Sequence, residues 1–196
     1  VNIQRQAVLT KTGEFPFAYW VLWGSILLDG LGKFVITFLG LYLVKDRQFS
    51  IEQTTLIISV YGLASIPSAL LGGVLSDKIG HRNTVIVGFW GAALTLSLLG
   101  MVRQFEHIVI MSMCLGLVHR LNKPAITALV AEIVPPEKRK RAYHLNYWAV
   151  NLGAVFAMPV AGILANLNYQ LLFVGDALTA FGAGVLLRLF FQHPFS

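Results

Sequence analysis

Charge is scarce in this sequence. Asp, Glu, Lys and Arg make up 12% of its 196 residues, about half of the roughly 25% found in soluble domains, and that excludes an ordinary soluble fold. Cysteine is nearly missing. Cys114 stands alone inside an apolar run, so no disulfide can form within the chain. Catalytic signatures are missing too: there is no His-Glu-x-x-His, no Gly-x-Ser-x-Gly and no glycine-rich phosphate loop, the patterns of metalloproteases, hydrolases and nucleotide sites. His81, His107, His119, His144 and His193 are scattered without the spacing of metal ligands, and their ordinary reading is surface or interface packing. No enzyme activity, metal or cofactor is expected.

Apolar residues fill the space that charge leaves. They are 56% of the chain, and the mean hydropathy is +0.70. They gather in six stretches, at about residues 17–44, 54–75, 84–102, 108–134, 142–165 and 171–191. A spanning helix needs about 20 residues and a barrel strand about 9–11 of alternating polarity, so these are membrane helices. The expected fold is all-α: a polytopic bundle over residues 17–191, with a cytoplasmic segment at 1–16 and a cytoplasmic end at 192–196. The connections are short and punctuated. Ser50 with Gln53 spells a capping box for the second helix, Pro135-Pro136 ends the fourth, and Gly80 suits a turn that needs positive φ.

The net charge is +6 and the pI about 9.7. In a soluble protein that balance would suggest nucleic acid. Here the positives lie mostly in short loops, and they report orientation instead. With the N-terminus inside, nine cytoplasmic residues (Arg5, Lys11, Lys78, Arg82, Lys138, Arg139, Lys140, Arg141, Arg188) face three outside (Lys45, Arg47, Arg103). Both termini are therefore expected in the cytoplasm. The run Lys138 to Arg141 serves as a topology anchor and can also meet anionic headgroups.

Five charges fall where lipid should be: Asp29, Lys33, Arg120, Lys123 and Asp176. At about 2.5–3.5 kcal/mol each near a helix centre, leaving them in hydrocarbon would cost on the order of 15 kcal/mol, more than the stability of most folded proteins. They must line a protein interior or a wet cavity. Asp29 and Lys33 are spaced i, i+4 and can pair locally on one helix face. Arg120 and Lys123 have no acid near them on their own helix, so they need partners elsewhere or an anionic ligand. Pro124 beside them, like Pro67 and Pro159 in the second and fifth helices, is expected to kink its helix. Ala64, Ser68 and Gly72, and again Gly153, Ala157 and Ala161, recur every fourth residue as faces for close packing. Splitting the six helices into two triplets aligns charged first helices and small-residue second helices, as in the internal repeats of secondary transporters.

The stretch Gly73-Val74-Leu75-Ser76-Asp77-Lys78-Ile79-Gly80-His81-Arg82-Asn83 resembles the helix 2–3 loop signature of the major facilitator superfamily, Gly-x-Leu-Ala/Ser-Asp-Arg/Lys-x-Gly-Arg-Arg/Lys. His81 departs from the usual basic residue there. The whole chain is similar to the N-terminal six-helix half of such a transporter, and Lys123-Pro124-Ala125 with Ala131 to Arg139 looks like bacterial multidrug-type members. The resemblance implies a cytoplasmic gate built from Gly73, Asp77, Lys78, Gly80 and Arg82, with Gly73 allowing close helix approach. It links Arg120 to proton coupling. The helix 5 antiporter signature survives only in part, as Gly153, Met158-Pro159 and Gly162.

These readings combine into one expectation: a secondary carrier in a bacterial plasma membrane that moves a small molecule, with proton-coupled efflux as its direction and Asp29 as the protonatable group. Six helices are half of the family's usual twelve. The chain is expected to be a fragment whose second six-helix half is missing, or a six-helix protein that dimerises. A non-transporting membrane scaffold or assembly partner is the rival function.

Overall fold

A computed structural model describes residues 15–191; residues 1–14 and 192–196, with Arg5, Lys11 and His193 among them, lie outside the described residues. Among the described residues eight helices follow one another: α1 (Phe17–Leu31), α2 (Phe34–Lys45), α3 (Ile51–Ile79), α4 (His81–Met101), α5 (Phe105–His119), α6 (Asn122–Ile133), α7 (Pro136–Leu167) and α8 (Gln170–Phe190). Among the described residues there is no strand. The eight helices make six spans, because α1 with α2 and α5 with α6 are each one span interrupted at mid-length.

The chain builds each element from local rules. Ser50 caps α3 as expected: its hydroxyl accepts from Gln53 N–H at 3.2 Å, and Gln53 Oε1 accepts from Ser50 N–H at 3.1 Å. Gly80 takes φ +85° between α3 and α4, a value that suits glycine. Pro135 precedes α7 and Pro136 is its first residue, where a missing N–H leaves no helical bond unmade. Both Pro67 and Pro159 sit inside continuous helices, so no break opens at either.

The order of lengths repeats. Helices of 15, 12, 29 and 21 residues are followed by helices of 15, 12, 32 and 21. Packing repeats as well. α3 lies along α5 as α7 lies along α1, α4 meets α5 and α6 as α8 meets α1 and α2, and α4 packs on α8 between the two repeats. An odd number of spans per repeat makes the second start on the opposite side of the membrane from the first, so the two are inverted relative to each other.

The expected small-residue faces are the seams of this arrangement. Ala64, Ser68 and Gly72 are buried on α3, and Gly153, Ala157 and Ala161 on α7. A Cβ on Gly153 would stand 2.5–2.9 Å from the backbone of Gly30 and Leu31, and one on Gly72 would overlap the Leu121 carbonyl. Each stripe thus presses its glycine against the interrupted span of the other repeat. Gly73 behaves differently from the sequence expectation. A Cβ there meets nothing within 4 Å, and its neighbour Gly72 makes the close approach.

Two apolar cores result, one at each end of the bundle. One gathers Tyr19, Leu22, Ile26, Val85, Phe89, Leu129 and Leu187; the other gathers Phe34, Leu39, Tyr42, Ile57, Leu99, Leu115 and Phe173. The helix breaks lie between them. Replacing Gly153 with valine should lower stability in a thermal-unfolding assay in detergent by at least the 1–3 kcal/mol typical of overpacking. Gly162→Val, on the same helix but facing open space, should stay within about 0.5 kcal/mol of the parent.

Candidate functional site

Both interruptions fall where the sequence carries charge. In the first span α1 stops at Leu31, Gly32 N–H donates to Asp29 O at 3.1 Å, Phe34 N–H donates to Gly32 O at 2.6 Å, and α2 resumes after Lys33. In the fourth span α5 stops at His119, Leu121 N–H donates to Val118 O at 3.1 Å, Lys123 N–H donates to Arg120 O at 3.2 Å, and α6 resumes at Asn122. Pro124 has no N–H to donate to the Arg120 carbonyl, which accounts for the second break. The first has no proline. It forms at Gly32, which is wedged against Thr179 of α8 and has no room for a side chain.

The break corrects one expectation. Asp29 and Lys33 do not face each other as an i, i+4 pair, because the helix ends between them, and they form no ion pair. Both are partly buried, and Lys33 remains within electrostatic reach of Asp29, Asp176 and His119. Asp176, on α8, is buried and accepts from Val35 N–H at 3.2 Å, so it caps the start of α2. Arg120 and Lys123 are exposed and have no ion-pair partner among the described residues. The structure therefore brings Asp29, Lys33 and Asp176 into one layer with Arg120 at its edge, while Lys123 extends one turn further along α6.

Two members of this layer escaped the sequence reading. The ring of His119 meets that of Tyr61 edge-on at 5.9 Å, and each lies within electrostatic reach of Arg120. His119 precedes Arg120 directly, and that adjacency was the available signal. Tyr61 had none, since it reaches the layer only because α3 packs on α5 through Gly116, where a Cβ would overlap the Tyr61 carbonyl. The layer holds two carboxylates, an imidazole, a phenol and two cations between two apolar cores. It can bind and exchange protons and can present charge to a solute.

The second zone is the turn between α3 and α4. Asp77, Lys78 and Gly80 are exposed, and Asp77 has no ion-pair partner among the described residues. Arg82 points inward: Nη2 donates to the Arg188 carbonyl at 2.8 Å at the end of α8, and the guanidinium lies over the Phe191 ring at 5.8 Å. His81, in the place of a basic residue, bonds through Nδ1 with Ser76 Oγ at 2.5 Å. Arg139 does for α6 what Arg82 does for α8, donating to the carbonyls of Val134 and Ala131, which a helix end leaves unmatched. A groove of about 570 Å³ between α4 and α8, lined by Trp90, Ala93, Phe173 and Phe181 among others, contains none of the charged residues.

The Major Facilitator Superfamily profile matches residues 22–195. This chain belongs to that superfamily. It is 27% identical over 76% of its length to YqjV of Bacillus subtilis, an uncharacterised MFS-type transporter. It is 26% identical over 83% to the tetracenomycin C resistance and export protein of Streptomyces glaucescens, and 23% identical over 79% to the quinolone resistance protein NorA of Staphylococcus aureus. The chain spans between 31% and 40% of the length of these superfamily members. Its apolar helices and this membership make it an integral membrane protein, of a family that acts on small molecules.

Arg120 and Lys123 should face water. With Cys114 replaced by serine, Arg120→Cys and Lys123→Cys in bilayers should react with a charged, membrane-impermeant thiol reagent at least tenfold faster than Leu178→Cys on the apolar outer surface. Equal, negligible rates at all three would place both cations in lipid.

Proposed function

We propose that this chain is the N-terminal half of a proton-coupled efflux carrier that works by alternating access. The observation that carries the reading is the pair of helix breaks, each bearing ionisable groups and both held between two apolar cores. Interrupted spans at corresponding places of two inverted repeats are where carriers bind solute and coupling ion. The export and resistance proteins among its relatives support the outward direction.

Asp29 is the proton carrier in this scheme. Lys33 lies within electrostatic reach of it, Arg120 stands at the edge of the same layer, and water reaching Asp29 from alternate sides in the two states would load and unload the proton. Arg120 and Lys123 face the cavity, where they orient a solute or pair with acids of a second half. That half docks on α3 and α7. Only 22% of the most apolar stretch of either helix is buried, against 56% in α4, and Leu63, Ile66 and Leu70 on α3 with Val155, Phe156 and Ile163 on α7 stand exposed. A second copy of the chain could occupy the same faces by symmetry.

The turn bearing Asp77, Lys78, Gly80 and Arg82 acts as the cytoplasmic gate. Asp77 is free to bond across to the second half when the carrier faces outward, while Arg82 keeps α8 in place beside it. This orientation puts both termini in the cytoplasm of a bacterial plasma membrane, with the Lys138 to Arg141 run on the inner surface.

In everted vesicles holding the longest protein that contains this chain, Asp29→Asn and Arg120→Gln should each reduce proton-driven flux at least tenfold. If both variants drove normal flux, the coupling role would be wrong; flux by neither parent nor variant would favour a non-transporting membrane partner.

A further inference from the structure

The two breaks are held in different ways. α2 has no cap of its own, since Lys33 at its N-cap position offers no side-chain bond, and its first N–H groups have no partner inside the helix. Three successive contacts with α8 take that place. Gly32 is wedged on Thr179, the Phe34 ring lies where a Cβ on Gly175 would be 2.9 Å away, and Val35 N–H donates to Asp176 Oδ2 at 3.2 Å. The Asp176 side chain also faces the positive end of the α2 dipole. Asp176 is 7% exposed, so solvent does not compete for the bond.

The matching contact in the other repeat is neutral. There α4 meets the fourth-span break at Gly88, where a Cβ would overlap the Asn122 side chain. α6 likewise has no side-chain cap, and Asn122 Oδ1 is buried without a partner. Among the described residues no carboxylate bonds to that helix end. Symmetry of packing is thus combined with asymmetry of chemistry, and only the first-span break is held by an ionisable group.

We propose that Asp176 is a positioning residue: its carboxylate latches α2 to α8, fixes the angle of the break at Gly32–Lys33, and so sets where Asp29 and Lys33 stand in the charged layer. Neutralising the carboxylate weakens the bond to Val35 and lets α2 pivot about Gly32, which has no Cβ to resist the change. Asp29 on α1, Lys33 at the break and the Tyr61 hydroxyl on α3 are the titratable groups within electrostatic reach of the latch. A proton entering this layer can therefore act on the hinge as well as on Asp29. This last step rests on the carrier reading; the latch does not.

The test measures distances in the full chain in bilayers. With Cys114→Ser, spin labels at Thr37→Cys and Leu178→Cys, both exposed positions, report α2 against α8, and labels at Val87→Cys and Thr127→Cys report the neutral counterpart. The parent should give one narrow distribution for each pair. Asp176→Leu should add a population displaced by several ångström for the first pair only. Asp176→Asn, which retains an acceptor without the charge, should show a smaller share of it. Parent-like distributions in both variants would overturn the latch, as would a parent-like Asp176→Asn if Asp176→Leu failed to insert. Equal broadening of both pairs would also overturn it. A displaced α2 in a protein that carries no flux would uphold the latch and refute the carrier.

Discussion

Hydrocarbon offers no partner to a backbone N–H, a carbonyl or an ion, and every unusual feature of this chain answers to that constraint. A continuous helix satisfies it alone. An interrupted helix does not, and this chain interrupts two of its six spans at mid-length. Each interruption is surrounded by protein: the first by α8 and by Gly153 of α7, the second by Gly72 of α3 and Gly88 of α4. The small-residue stripes exist to let those neighbours come near enough. A side chain at Gly72 or Gly153 would push the covering helix away and leave the loosened backbone in lipid.

The breaks and the two cores divide the molecule by depth. Aromatic and aliphatic packing fixes either end, while the middle layer carries the polar groups. The first end is pinned further by Tyr19, whose hydroxyl donates to the Ala142 carbonyl at 2.9 Å, and by Trp23 Nε1, which donates to Leu145 O at 2.9 Å. Rigid ends joined through a polar middle suit a body that rocks without unfolding. The exposed faces of α3 and α7 then form the surface across which such a body would move.

The sequence disclosed what local rules govern. The spans follow from run length, the capping box from Ser50 and Gln53, and the turn from Gly80, because neighbours in sequence decide each of these. The mid-span charges were legible for the same reason, since the cost of leaving them in lipid does not depend on the fold. What escaped depends on distant contacts. Gly32 looks like any glycine in an apolar helix, and only its contact with Thr179, 147 positions later, shows that the break is pressed against α8. The i, i+4 pairing of Asp29 and Lys33 presumed a continuous helix, so it fell with that break. Gly73 and Gly72 are adjacent, yet a helix turns by about 100° per residue; a motif cannot say which of the two faces a neighbour. Asp176 was read as one more charge in the layer, whereas Val35 makes it a cap.

A carrier of this kind needs water to reach the two breaks while the cores above and below stay dry. Amide hydrogen exchange of the chain in bilayers tests this most directly. Backbone N–H groups at residues 31–34 and 119–123 should exchange many times faster than those of Leu22 or Leu99 within the cores, with Val35 slowed by its bond to Asp176. Full protection at both breaks, equal to that of the cores, would mean a dry and closed interior and would contradict the account.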